Sequence, residues 1–127
     1  MMEVVAALIR DENRVLLCRR PEEKAQGGKW EFPGGKIEPG ETGEAALKRE
    51  CREELDVTLA VGHALADVTQ DYPGRTVHLT LYEARIASGT PRKLEHSEIR
   101  WVLPEEIEAY DLCPADARLM ALLRGRI

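Results

Sequence analysis

The sequence predicts an α/β sandwich, in which strands lie between helices. Residues 2–10 and 14–20 are apolar-rich runs separated by Asp-Glu-Asn, a turn signal, and read as a hairpin. Residues 76–82 alternate, with Val77, Leu79 and Leu81 on one face. Helical patterns follow the glycine pair at Gly34 and Gly35 and close the chain, so the strands are flanked by helices.

Between the hairpin and the glycines, residues 21–29 form a polar loop, and Trp30-Glu31-Phe32-Pro33 is a short strand feeding a glycine turn. Thr42 is placed to cap the first helix, with Glu44 in its first turn favoured by the helix dipole. Asp56 is badly placed against that dipole, so the helix should end near Leu55. Residues 60–70 and 76–86 are strands joined by Tyr72-Pro73-Gly74-Arg75. Residues 88–93 are a turn and 99–103 a strand, and Pro104–Ala109 is a short helix opened by proline. The last helix spans 114–124, with Ala117, Met120, Ala121, Leu122 and Leu123 available for its inner side.

Composition narrows the classes. A chain of 127 residues fits one domain with one sizeable core, so 1–127 is expected to be a single domain. Its 43% hydrophobic and 32% charged content is globular rather than disordered. A net charge of −5 argues against duplex nucleic acid or an anionic membrane as main partner. Apolar runs are too short to span a bilayer and no signal peptide is evident, which points to a cytoplasmic protein. Cys18, Cys51 and Cys113 are odd in number and widely spaced, as reduced thiols would be. His63, His78 and His96 lack ligand spacing, and surface or groove positions are expected for them.

The chemistry is concentrated in the first helix. At 100° per residue, Glu50, Glu53 and Glu54 fall within about a 100° sector, beside an apolar stripe of Leu47, Cys51 and Leu55. Like charges at this spacing repel by roughly 0.2–0.5 kcal/mol a pair, so a cation over the cluster makes sense of it. An all-oxygen set selects a hard divalent ion such as Mg²⁺, with Mn²⁺ possible. Taken alone, such a run is more often a solvated helix face.

The full pattern settles that choice. Gly35, five residues, Glu41, seven residues, Arg49-Glu50-Cys51-Arg52-Glu53-Glu54, one residue and Asp56-Val57 resembles the Nudix box. Every charged position matches. Cys51 stands where an aliphatic is usual and Asp56 where glycine is usual, and neither touches the acidic cluster. Other segments, including Trp30 through Lys36 and Glu95 through Trp101, resemble the MutT-like branch of the Nudix hydrolases. Within it the likeness is greatest to bacterial CTP pyrophosphohydrolases and 8-oxo-dGTP diphosphatases.

The resemblance implies a mixed β-sheet between helices and a Mg²⁺-dependent nucleoside triphosphate pyrophosphohydrolase. The implied substrates are CTP, modified dCTP or 8-oxo-dGTP, in nucleotide-pool sanitation. A dinucleoside polyphosphate hydrolase and an inactive nucleotide sensor are the alternatives. By matching, Glu50, Glu53 and Glu54, with the Gly34 or Gly35 carbonyl, resemble the metal ligands, and Glu41 with Arg49 a structural ion pair. Glu95, six residues before Trp101, resembles a loop carboxylate that ligates metal or takes a proton; Glu98 is the alternative, and a solvated loop is the bland one. Arg20 and Lys36 are candidate counter-charges for the phosphates or base, or plain surface charges. Phe32, Tyr72 and His78 could stack on a base, Phe32 being equally suited to the core. Asp116 sits where the branch reads the base edge; ionised, it would only accept hydrogen bonds, and a helix-capping role is the alternative. A monomer or weak homodimer is expected.

Overall fold

A computed structural model describes residues 1–127. The strands are β1 (Met2–Asp11), β2 (Arg14–Arg19), β3 (Trp30–Glu31), β4 (Gly34–Lys36), β5 (Thr58–Tyr72), β6 (Arg75–Ser88) and β7 (Glu98–Val102). Helix α1 spans Gly43–Leu55, α2 spans Pro114–Leu123, and a 3₁₀ turn occupies Pro104–Ala109. The sheet is mixed: β1 runs parallel to β6, whereas its pairings with β2 and β4, and that of β5 with β6, are antiparallel. β2 in turn pairs with β3 and β7.

The Val-Val-Ala-Ala-Leu-Ile run of β1 reads as a strand buried on both faces. Alternation divides it between two cores. Val5, Ala7 and Ile9 pack with Leu47, Cys51 and Leu55 of α1, while Ala6 and Leu8 pack with Leu119, Met120 and Leu123 of α2. The apolar stripe read from α1 is thus its docking face. Val77, Leu79 and Leu81 of β6 lie together on the α2 side, as their alternation requires.

Helix α1 is bounded as its residues dictate. The Thr42 side chain accepts from the Ala45 amide at 3.1 Å, and Asp56 ends the helix in left-handed backbone at φ 58°. Aspartate tolerates that conformation better than most residues, so the missing glycine is accommodated.

Two expectations fail. Gly34 and Gly35 form not a turn but the strand β4, with Gly35 opposite Val5. A Cβ at Gly34 would stand 2.0 Å from the Val5 carbonyl oxygen, so only glycine lets the chain lie this close. On α2 the inner side is Ala115, Asp116, Leu119, Met120 and Leu123, whereas Ala117, Ala121 and Leu122 face outward. The rotation is set upstream: the Trp30 amide donates to the Asp111 carbonyl and the Cys113 amide to the Trp30 carbonyl, each at 2.8 Å. That double tether fixes residue 113 against β3 before the helix begins. No helix is long and apolar enough to cross a membrane.

Candidate active site

A cavity of about 250 Å³ opens on the α2 side of the sheet, where β1, β6, the start of α2 and the end of α1 converge. Its lining includes Gly34, Gly35 and Glu54, the loop residues Glu95 and His96, and Arg20, Glu31, Phe32, Tyr72 and Asp116. Most of the sequence-predicted residues line it, but Glu41, Arg49, Glu50, Glu53 and His78 do not. His78 is on the other face of β6, clamped at 2.7 Å from both Glu3 and Asp67, and does not line the cavity. The alternation that sends Val77 and Leu79 inward turns His78 away. Phe32 is both core and cavity wall, 3% exposed.

Arg49 organises the acidic helix. Its Nε and Nη2 donate to the two oxygens of Glu41 at 2.7 and 3.0 Å, a bidentate pair. Nη1 reaches Glu50 at 2.8 Å and Glu53 at 3.3 Å, and Nη2 also donates to the Lys36 carbonyl at 3.0 Å. The Arg49 guanidinium holds the Glu41 carboxyl down at about 2. One side chain thus ties helix, loop and β4 together.

Glu54 is the buried member of the cluster. Its Oε1 is sealed from solvent with no hydrogen-bond partner. Burial first, then Glu50, Glu31 and Glu95, push its carboxyl well above the ordinary range. A buried, crowded and unpartnered carboxylate oxygen is the donor a hard cation would satisfy. Gly35 supplies matching room, since Glu50 Oε2 occupies the space where its Cβ would be. The donors are all oxygen, so the residues fit a divalent ion, although Arg49 turns Glu50 and Glu53 toward itself and no three such side chains form a closed ligand set.

The other candidate residues divide clearly. Glu95 lines the cavity, whereas Glu98 does not and accepts from Arg100 Nε at 2.6 Å. Arg20 is committed to Glu31 at 3.1 Å and to the Ala25 carbonyl at 2.6 Å, so its charge is largely neutralised. Lys36 lies at the rim without an ion pair. The Tyr72 hydroxyl accepts from the Ala115 amide at 3.2 Å, fixing its ring at the mouth.

Asp116 departs from its expected charge state. It is buried, its Oδ1 accepts from the Phe32 amide at 3.0 Å, and Cys113 rather than Asp116 is the cap residue of α2. Burial, then Glu31, raise its carboxyl to about 8, only partly offset by the Phe32 amide and Arg20. Near neutrality it is mostly a protonated acid, able to donate.

Two residues escaped the sequence reading. Glu31 sits between Arg20 and His96, and its parity between two buried aromatics was the available signal. His96, expected on a surface or in a groove, is only 9% exposed. Nothing in Glu-His-Ser-Glu marks it as inward.

This sheet sandwich, with a glycine-bounded acidic helix clamped by an arginine, defines a Nudix domain. The family model described as "NUDIX domain" matches residues 4–122, and the chain belongs to the Nudix hydrolases. It is an enzyme of their MutT-like branch. It is 42% identical over 120 residues to the CTP pyrophosphohydrolase of Escherichia coli (strain K12), spanning 94% of this chain and 89% of that protein. It is 31% identical over 124 residues to the 8-oxo-dGTP diphosphatase of the same organism, spanning 97% and 96%. The solution structure of the E. coli ORF135 protein superposes with a TM-score of 0.84 at 41% identity, covering 98% of this chain and 91% of that one.

Proposed function

We propose that this chain is a Mg²⁺-dependent pyrophosphohydrolase of nucleoside triphosphates, releasing the monophosphate and pyrophosphate. Its proposed substrates are CTP, modified dCTP or 8-oxo-dGTP, in sanitation of the cytoplasmic nucleotide pool. The whole of 1–127 acts as one catalytic unit. The single observation that carries the reading is Glu54: a buried carboxylate oxygen without a partner, at the wall of a cavity large enough to take part of a nucleotide.

Glu50, Glu53, Glu54, Glu95 and a Gly34 or Gly35 carbonyl would hold the metal, with Mn²⁺ able to substitute. When bound, the metal supplies charge neutralisation for the triphosphate and a lowered pKa for attacking water. The chain's own residues do the positioning that dominates such reactions. Arg49 holds Glu50 and Glu53 on α1 through its Nη1. Glu95 lines the cavity, which supports it as the loop carboxylate that ligates metal or takes the proton from water. Lys36 at the rim is the free counter-charge for phosphate oxygens, while Arg20, already paired, belongs to the nucleoside end.

At that end Phe32 and Tyr72 supply apolar surface and Asp116 a polar edge. The names of the two relatives, one acting on CTP and one on 8-oxo-dGTP, support both bases without separating them. The test is a panel of CTP, 5-methyl-dCTP, dGTP, 8-oxo-dGTP and diadenosine tetraphosphate, incubated with Mg²⁺. Pyrophosphate release from a triphosphate supports the reading. ATP release from the dinucleotide would place the chain with the dinucleoside polyphosphate hydrolases, and silence on all five would leave a nucleotide sensor.

A further inference from the structure

His96, expected on a surface or in a groove, lines the cavity with its side chain only 5% exposed. Its Nε2 stands 3.1 Å from Glu31 Oε2 and 3.8 Å from Glu54 Oε1, so one ring nitrogen faces both carboxylates. Glu31 is held from its other oxygen by Arg20 at 3.1 Å. Four polar side chains, Arg20, Glu31, His96 and Glu54, therefore line up from the nucleoside end of the cavity to the end of α1.

The same histidine fixes a loop. The Leu94 amide donates to the Glu54 carbonyl at 3.1 Å and the Ser97 amide to the Arg19 carbonyl at 3.0 Å, which pins both ends of the segment carrying Glu95. Between those pins, His96 is the buried residue, and inserting its ring sets where the neighbouring Glu95 stands. A leucine would fill the volume without introducing polar atoms, and the His96 Nδ1 is buried with no partner at all. Such a group is costly unless the other nitrogen has work to do.

We infer that His96 is a positioning residue, which donates from Nε2 to Glu31 and thereby holds the Glu95 loop and the Glu54 carboxylate in register with each other. This rests on the proposed reading of Glu54 and Glu95 as metal carboxylates. It adds a residue that acts through Glu31 and the loop carrying Glu95. Groups that orient metal ligands from outside typically change metal affinity about 10- to 100-fold when removed.

The experiment uses the full chain and the variants His96→Leu, His96→Gln and Glu54→Gln. Mn²⁺ binding to the nucleotide-free protein is measured by electron paramagnetic resonance, and kcat and KM for CTP or the best triphosphate of the panel over a Mg²⁺ series. Leucine fills the space without a donor, so His96→Leu should fold while binding Mn²⁺ about 10-fold more weakly. Its kcat should fall by a similar factor, with KM for nucleotide within about two-fold. Glutamine presents an N–H near the Nε2 position, so His96→Gln should recover most of the Mn²⁺ affinity. Wild-type Mn²⁺ binding by a folded His96→Leu overturns the inference, as does an equal loss in the leucine and glutamine variants. Weakened binding in Glu54→Gln beside an unaffected His96→Leu sinks the inference alone. Unchanged binding in Glu54→Gln removes the metal reading, and the inference with it.

Discussion

Glu50 fills the space that a side chain at position 35 would need: a Cβ on Gly35 would stand 2.2 Å from Glu50 Oε2. The obstacle is the far end of a flexible side chain, so the fold can yield by moving Glu50. At the neighbouring Gly34 the obstacle is backbone, the Val5 carbonyl oxygen at 2.0 Å, and cannot yield. Gly35→Ala should therefore remain folded, with a melting temperature within a few degrees of wild type, but lose turnover by about 100-fold as Glu50, a proposed metal ligand, is displaced. Gly34→Ala should lose stability by about 2 kcal/mol or more, since β1 and β4 must separate. Thermal melts and initial rates on the two proteins check the contrast. A Gly35→Ala enzyme with wild-type rates would mean that Glu50 is not needed where it stands.

Metal binding and stability should be opposed at Glu54. Without metal, the wild type carries a buried carboxyl crowded by Glu50, Glu31 and Glu95. Glu54→Gln removes that burden at nearly constant shape, so in EDTA it should melt at or above the wild-type temperature. Added Mg²⁺ should then raise the wild-type melting temperature by several degrees, as about 2.7 kcal/mol at a hundred times Kd implies, and raise the variant's little. Equal Mg²⁺ shifts in the two proteins would take Glu54 out of the metal site.

How far the sequence could be read depended on whether periodicity governed the residue. Helix α1 was legible to its ends, because its apolar stripe, its Thr42 cap and its charged positions are all local signals. The strand β4 was not, because glycines signal turns in sequence, and only the approach to Val5 makes them a strand. On α2 the apolar residues are dense enough to allow two inner faces, and the tether between Trp30 and residues 111–113 selects one. His78 and His96 show the same limit in opposite directions. The first sits on a strand whose alternation already sent it away from the cavity, whereas the second lies in a loop with no period to read. The charge state of Asp116 needed burial, which no motif position contains.

Arg49 should be replaceable by lysine in charge but not in function. A lysine ammonium cannot span both Glu41 oxygens while reaching Glu50, Glu53 and the Lys36 carbonyl. Arg49→Lys should lower kcat about 10-fold or more and raise the Mg²⁺ needed for half-maximal rate, because Glu50 and Glu53 lose their guide. The clamp also has an acid signature. The Glu41 carboxyl is held at about 2 rather than its ordinary 4.5, so its contribution is present above pH 4.5 and lost as pH falls toward 2. With the fork weakened, acid unfolding followed by circular dichroism should begin at higher pH. An unchanged acid midpoint together with wild-type Mg²⁺ activation would make the clamp incidental.

Asp116 links stability to pH, and its proposed base contact can be tested through the same group. Its carboxyl rises from 3.8 to about 8 through burial and the Glu31 charge, against the partial support of Arg20 and the Phe32 amide. Cys113 and Tyr72 also face it, and neither is charged near neutrality, their own protons being held more tightly than usual. Between pH 4 and 8 the folded protein keeps a proton that the unfolded chain has lost. Stability through this group therefore falls as pH rises across that window, at no more than about 1.4 kcal/mol per unit, and levels off above it. Asp116→Asn cannot titrate, so its melting temperature should vary less between pH 5 and 9 than the wild type's. The asparagine also resembles the protonated acid: its oxygen can accept from Phe32 while its amide donates into the cavity. At pH 6.5 the variant should thus retain kcat/KM on the preferred triphosphate within a few-fold. Above pH 8 the wild type becomes an acceptor toward the base, and the two enzymes should diverge in base preference by roughly 1–3 kcal/mol. The measurement is the ratio of kcat/KM values for cytosine and 8-oxoguanine triphosphates at pH 6.5 and 9, for both proteins. Ratios that move together with pH would show that Asp116 does not read the base.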